Sequence, residues 1–254
     1  MQLTTLCERY DERLRTGAFA EIDASANGLQ VGPEEREIER VAYAVDAALE
    51  TIERAAEEGA DVLVVHHGLS WDGFERVTGR THDRIAALIE NDLALYVSHL
   101  PLDAHPELGN AAGVADLLGL EAREPFGSLD DETIGLRGRA ASAFGADGIR
   151  DRLASLDTGG REPRLLEFGP EEIEDVAIVT GSGIDWLEEA AEIGADALVT
   201  GEGKQQAYHD AREAGVTVAL GGHYATETFG VRSLQSLAED WGLGTAWIDA
   251  PTGL

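Results

Sequence analysis

Three stretches of this chain set a histidine beside another ligand-grade side chain at the end of an apolar run. The first is Val62-Leu63-Val64-Val65-His66-His67-Gly68. The second carries His99 and Asp103 after Leu93-Ala94-Leu95-Tyr96-Val97, and the third carries His223 and Glu227 after Val216-Thr217-Val218-Ala219-Leu220. Imidazole nitrogen and carboxylate oxygen together suit zinc, iron, manganese or nickel. Two imidazoles from one stretch, a third from another and two carboxylates suffice for two divalent ions, with Asp or Glu bridging. Two metals roughly 3.5–4 Å apart activate a water and polarise an electrophile, as in hydrolytic two-metal enzymes. If 223–227 is helical, His223 and Glu227 form an i, i+4 pair on one face, whereas Pro101 argues for a turn between His99 and Asp103. His99 stands where His223 stands, so it fits a ligand, a support for a ligand or a general acid/base; the last two are preferred. The competing reading is a set of buried or surface histidines that never converge.

Those residues need elements to place them. The Val and Leu run bounded by Asp61 and Gly68 has the pattern of a fully buried parallel strand. Neighbouring side chains of a strand point to opposite faces, but at its carboxyl end, with Gly68 free to turn, both rings can face one site. That edge is where open α/β sheets place ligands. Residues 41–45 form a strand, Asp46 can cap a helix over 47–59, and 69–80 is loop-like. A helix over 81–91, a strand over 93–97 and a helix over 106–119 continue a β-α-β-α-β-α alternation. Asn27-Gly28 marks a turn before a short apolar element. Residues 121–172, punctuated by Gly and Pro, are expected to be a connecting or capping segment, with a strand near 133–139 and a helix near 147–155.

The pattern then repeats. Residues 41–64 align without a gap to 176–199 at an offset of 135, sharing AAE-x-GAD-x-LV and matching Asp61 to Asp196. His99 and Asp103 fall on His223 and Glu227 at an offset of 124. The period is too long for a solenoid and indicates duplication of one α/β lobe. The fold expected is α/β with two similar lobes, 1–120 and 173–254, and a metal site in the crevice between them. In the second lobe Gly201-Glu202-Gly203-Lys204 occupies the place of His66-His67. It is not a phosphate loop, since the first glycine and the Ser/Thr after lysine are missing. Thr180-Gly181-Ser182-Gly183 fits a tight turn better than an anion cradle.

Composition narrows the setting. The formal charge is −30, from 49 acidic and 19 basic residues, which predicts a salt-rich cytoplasm and argues against an extended nucleic-acid-binding face. No run is long enough to span a membrane, and the polar start, MQLTTLCERYDERLR, is unlike a signal peptide. The single cysteine, Cys7, excludes an internal disulfide and a thiolate cluster, so a metal must rest on His and carboxylate.

The motifs NGLQVG, a strand ending in HHG, H-x-x-L-D, V-x-GSG, GAD-x-LVTGE and GGH-x-x-T-E resemble the NGG-one-interacting-factor-three-like proteins, homologues of type 2 GTP cyclohydrolase I. The resemblance covers nearly the whole chain. It implies a two-lobed α/β protein, a homohexamer around a dinuclear metal site, and metal ligands at His66, His67, Asp103, His223 and Glu227. Gly68 departs from the proline of many members, and the middle is compact where some relatives carry an inserted domain. The activity implied is a metal-dependent hydrolase or cyclohydrolase acting on a nucleotide or related small heterocycle by metal-activated water, with His99 handling protons. The alternative is a non-catalytic metal-binding regulatory or interaction protein, as the family's name implies.

Overall fold

Strands with an unbroken apolar run bury both faces, and three of the five strands in the first sheet carry such a run. A computed structural model describes residues 1–254. Helix α1 (Leu3–Leu14) and strand β1 (Gly28–Val31) precede β2 (Arg40–Asp46), α2 (Leu49–Glu57), β3 (Val62–His67), α3 (Arg80–Glu90) and β4 (Ala94–Val97). Next come α4 (Leu100–Ala104), α5 (Asn110–Leu118), β5 (Leu120–Leu129), β6 (Glu132–Phe144), α6 (Ala146–Leu153) and β7 (Arg164–Leu166). The chain continues through β8 (Ile173–Ile178), α7 (Leu187–Glu192), β9 (Ala197–Thr200), α8 (Ala207–Ala214) and β10 (Thr217–Leu220). It finishes with α9 (His223–Thr226), α10 (Thr228–Asp240) and β11 (Gly244–Trp247).

Two compact units result, Met1–Leu102 with Gly230–Ala250, and Asp103–Phe229 with Pro251–Leu254. The first holds a five-stranded sheet in the order β1-β4-β3-β2-β11. Strands β2, β3 and β4 are parallel, with Val41 opposite Val62 and Val62 opposite Ala94, and β1 lies antiparallel to β4. Val41, Tyr43, Val62 and Val64 pack with Leu3, Leu6 and Tyr10 of α1 and Leu234 of α10. Ala42, Ala44, Leu63 and Val65 pack on the other face with Ile52 of α2 and Leu88 of α3. The period of two thus feeds two cores, one per face.

The second unit holds a six-stranded sheet in the order β5-β6-β8-β9-β10-β7. Strands β8, β9 and β10 are parallel, and β7 is antiparallel to β10, as β1 is to β4. The duplication reaches individual atoms. Asp61 Oδ2 accepts from the N–H groups of Glu39 and Arg40 at 2.8 and 3.0 Å, and Asp196 Oδ2 accepts from Glu174 and Asp175 at 2.9 and 3.0 Å. All three positions keep the offset of 135.

In the middle of the chain the strand expected near 133–139 and the helix expected near 147–155 are present as β6 and α6, but the segment around them differs from expectation. Residues 120–144 are not a connector but an antiparallel hairpin whose second strand pairs with β8 inside the second sheet. Pro125 is tolerated because β5 is an edge strand, and a bulge between Glu121 and Glu124, with Ala122 at φ 48°, breaks the alternation. Those irregularities hid the strand.

Candidate metal centre

The histidine rings of the first unit are held by their Nδ1 edges. His66 is fully buried and its Nδ1 lies 2.9 Å from the Ser98 carbonyl oxygen. A carbonyl only accepts, so Nδ1 carries a proton and Nε2 is the nitrogen left to serve as a ligand. His67 Nδ1 lies 2.9 Å from Asp46 Oδ1, and His99 Nδ1 lies 2.9 Å from Asp23 Oδ1. Metal-binding histidines are normally oriented in this way, by donation from the second ring nitrogen to a carboxylate or carbonyl.

His66 and His67 have opposite parity in β3, yet their ring centroids are 4.6 Å apart. They follow Val65, the last β3 position paired with β4, so no β4 residue opposite them keeps the rings apart. His99, just beyond β4, lies 5.0 Å from His66 and 5.7 Å from His67 by centroid. One nitrogen from each of the three rings falls within 4.8 Å of the others. Gly68 is packed against β1 and β4: a Cβ there would stand 2.6 Å from the Gln30 amide and from Val97 Cγ2.

Asp23 is the anchor for His99. Its carboxylate accepts from Ser25 N at 2.9 Å, Asn27 Nδ2 at 2.8 Å and Leu100 N at 3.0 Å, while Asn27 Oδ1 accepts from His99 N at 2.7 Å. Burial pushes the Asp23 pKa up, but His99, Asn27 and Ser25 outweigh it and hold the carboxyl below its ordinary range. Trp71, partly exposed, sets its ring edge-on to His99 at 5.0 Å.

The second unit supplies carboxylates and one imidazole. Beyond β10, Gly221 and Gly222 carry the chain into α9, where His223 Nε2 lies 3.1 Å from Glu227 Oε2. The i, i+4 pairing expected from a helical 223–227 is present. His223 Nδ1 lies 3.2 Å from Glu202 Oε1, which also accepts from Ser182 Oγ at 2.6 Å. Burial alone would lower the His223 pKa, but Glu227 and Glu202 raise it to about 9. Glu202 is held below the usual carboxylate range by Ser182 first and then by His223.

Asp103 Oδ1 accepts from Asn110 Nδ2 at 2.7 Å and from Thr180 Oγ1 at 3.2 Å. A carboxylate oxygen of Asp103 lies within 4.8 Å of one of Glu227. Both acids are almost fully buried, at 7% and 3% exposure, and buried carboxylates call for positive charge nearby. Asp103 sits in a short helix, not the turn expected; Pro101 is tolerated because it lies in the first turn, where no N–H is required.

The six sequence-predicted residues therefore fall into two sets, His66, His67 and His99 in the first unit, and Asp103, His223 and Glu227 in the second. Asp46, expected to cap α2, instead holds His67; Thr51 supports the helix start, accepting from Ala48 N at 2.9 Å. Asp23, Asn27, Trp71, Asn110 and Thr180 went unrecognised as parts of the site. A signal for Asp46 exists in the repeat. At the offset of 135, Asp46, His66 and His67 fall on Gly181, Gly201 and Glu202, so the three change together.

The donor set, oriented imidazoles and buried carboxylates without sulfur, fits borderline divalent cations. The sequence profile of the Duf34/NIF3 (NGG1p interacting factor 3) family matches residues 1–251. A Halobacterium salinarum protein named GTP cyclohydrolase 1 type 2 homolog is 57% identical, with 100% of both chains covered. A Pyrococcus abyssi protein of the same name is 44% identical, again over 100% of both. A solved structure from Thermus thermophilus matches with a TM-score of 0.89 at 37% identity, covering 100% of each chain. A profile match over nearly the full length, together with full-length relatives of the same architecture, shows that this chain belongs to the Duf34/NIF3 family.

Proposed function

We propose that His66, His67, Asp103, His223 and Glu227 together hold two divalent cations, and that the protein is a metal-dependent hydrolase or cyclohydrolase acting on a nucleotide or related small heterocycle. The observation that carries this reading is the orientation of the imidazoles: the Nδ1 edges of His66, His67 and His99 each face an oxygen acceptor, at 2.9 Å in every case. Holding the rings by Nδ1 assigns Nε2 to the ligand-facing edge. The cations would supply an activated water and a polarised electrophile. The chain's own groups do the rest. Asp46 and the Ser98 carbonyl hold the His67 and His66 rings in place, and Asn110 and Thr180 orient the Asp103 carboxylate. His99, its Nδ1 proton fixed on Asp23, presents Nε2 as the atom that accepts and returns a proton. The relatives' name supports a guanine nucleotide as the first substrate to try.

The same reading takes the working assembly to be a homohexamer in a salt-rich cytoplasm. The test is turnover by the purified protein, in molar potassium chloride and with metal content measured, against nucleotides and phosphoesters. The expected result is activity that disappears on chelation and in Asp103→Asn, and that falls in His99→Gln while metal remains bound. A folded protein that retains less than one metal per chain after exposure to zinc, iron, manganese and nickel would end this reading. Full metal loading with no turnover would leave the non-catalytic metal-binding role.

A further inference from the structure

The second unit carries both arginines held by carboxylates and arginines that are not. In a cavity of about 300 Å³ beside β6 and β8, Arg137 and Arg139 are held by Glu124 and Glu174. Arg150 is likewise held by Asp147 and Glu167. Arg161 and Arg164 form no ion pair, and both line one cavity of about 330 Å³ in the second unit. It opens at the carboxyl ends of β9 and β10, the edge at which open α/β sheets bind ligands.

Glu202, Glu162 and Leu254 also line the cavity, and the Leu254 backbone oxygen accepts from His223 N at 2.6 Å. Glu202 lines it, but that carboxylate is already engaged by Ser182 Oγ at 2.6 Å and His223 Nδ1 at 3.2 Å. Glu162, between the two arginines in sequence and exposed as they are, adds a second carboxylate to the lining. The N–H groups of Gly201 and Glu202 are taken by the Gly181 carbonyl, at 3.0 and 2.9 Å, whereas the N–H of Gly203, the next residue along the wall, has no such acceptor. A further cavity of about 250 Å³, reaching Tyr208, shares Arg164, Gly203 and Leu220 with the first. Two forked guanidinium groups and a backbone N–H offer more donors than the two oxygens of a carboxylate use. They match the three terminal oxygens and double charge of a phosphate monoester.

We propose that this cavity is a phosphate subsite, in which Arg161, Arg164 and the Gly203 N–H bind the phosphate of a small-molecule phosphate ester whose remainder extends toward His223. The direction follows from the lining: Glu202, which holds the His223 ring, and Gly222, which precedes it, are both part of the wall. The link to turnover rests on the metal-dependent reading above; phosphate binding by the arginines does not.

The test is calorimetric titration of inorganic phosphate into the full-length protein at fixed ionic strength, with metal content measured in parallel. Saturable binding is expected, weakened about tenfold by Arg161→Gln or Arg164→Gln and lost in the double variant. Arg150→Gln, removing an arginine that is already paired, is expected to bind as the unaltered protein does. Arg164→Lys keeps the charge without the fork and is expected to be intermediate. Circular dichroism establishes that each variant is folded, and unchanged metal content shows that the candidate metal ligands are untouched. Binding that persists in the chelator-stripped protein supports the subsite even if no metal-dependent activity is ever found. Absence of saturable binding, undiminished binding by the double variant, or binding lost on chelation yet kept in the double variant would each overturn the proposal.

Discussion

Asp46 and Asp23 do for His67 and His99 what the Ser98 carbonyl does for His66: each occupies one ring nitrogen and thereby commits the other. Asp46→Asn is expected to lower metal affinity about 10- to 100-fold, read by competition with a chromogenic chelator. Asp23→Asn disturbs the His99 tautomer, so turnover is expected to fall while metal content holds. His223 sets the pH dependence. In the metal-free protein its pKa is raised to about 9, so its contribution to stability is complete below the ordinary value of 6.5 and is lost as pH rises through about 9. Metal binding needs the neutral ring, so loading at pH 7 releases a proton and affinity weakens as the pH falls. Titrating metal into weakly buffered protein and following pH measures this directly; Glu202→Gln is expected to reduce the release. Cys7 is a different case, a buried thiol whose pKa is pushed up to about 12 by burial, with Asp11 adding to it. It is expected to resist a thiol reagent at pH 8 until the protein is unfolded.

The two sheets show what duplication kept and what it changed. The carboxylate staple survives in both copies, as Asp61 and Asp196, and each joins a loop to the first strand of its parallel set. Asp61→Ala removes two charge-assisted bonds and is expected to cost about 2–3 kcal/mol, read from denaturant unfolding. At the strand ends the copies diverge. Where the first has Asp46, the second has Gly181 at φ 57°, and a Cβ there would come within 2.1 Å of Glu227 Oε1. Where the first has His66, the second has Gly201, whose Cβ would meet the His223 Cα at 2.7 Å. The second lobe has cleared side chains from these positions, and His223 and Glu227 fill the space. Gly181→Ala is therefore expected to displace Glu227, weakening metal retention, and to cost about 1–3 kcal/mol from backbone strain, both measurable in one preparation. One extra residue separates strand and histidine in the second copy. The strands β4 and β10 match at an offset of 123, and His99 and His223 at 124. The added residue falls in the Gly221-Gly222 turn, where Gly222 has φ 95°.

Across the molecule the dominant quantity is charge. A formal −30 on 254 residues disfavours the folded state through self-repulsion, which salt screens. The melting temperature is expected to rise continuously from about 0.1 M to about 2 M potassium chloride, read by calorimetry; a flat response would remove the high-salt interpretation. No helix is long and apolar enough to cross a membrane. The proposed hexamer predicts a light-scattering mass of six chains of 27.1 kDa each in the same high-salt buffer.

What the residues alone determined is the alternating apolar periodicity, the doubled α/β lobe, the inventory of imidazoles and the family. Each is a local or self-similar signal: strands announce themselves by Val and Leu runs, and a repeat by identity at a fixed offset. Histidine stands out because there are only 7 in the chain, and His66, His67, His99 and His223 all fall at strand ends; carboxylates number 49, and those that stood out, Asp103 and Glu227, did so by their spacing from a histidine. Only the tertiary structure selected Asp23 from that crowd and showed which ring Asp46 holds, since they reach His99 and His67 across 76 and 21 residues of chain. The same holds for the hairpin of β5 and β6 in the second sheet and for the raised proton affinity of His223. These depend on burial and on partners distant in sequence, which periodicity does not encode.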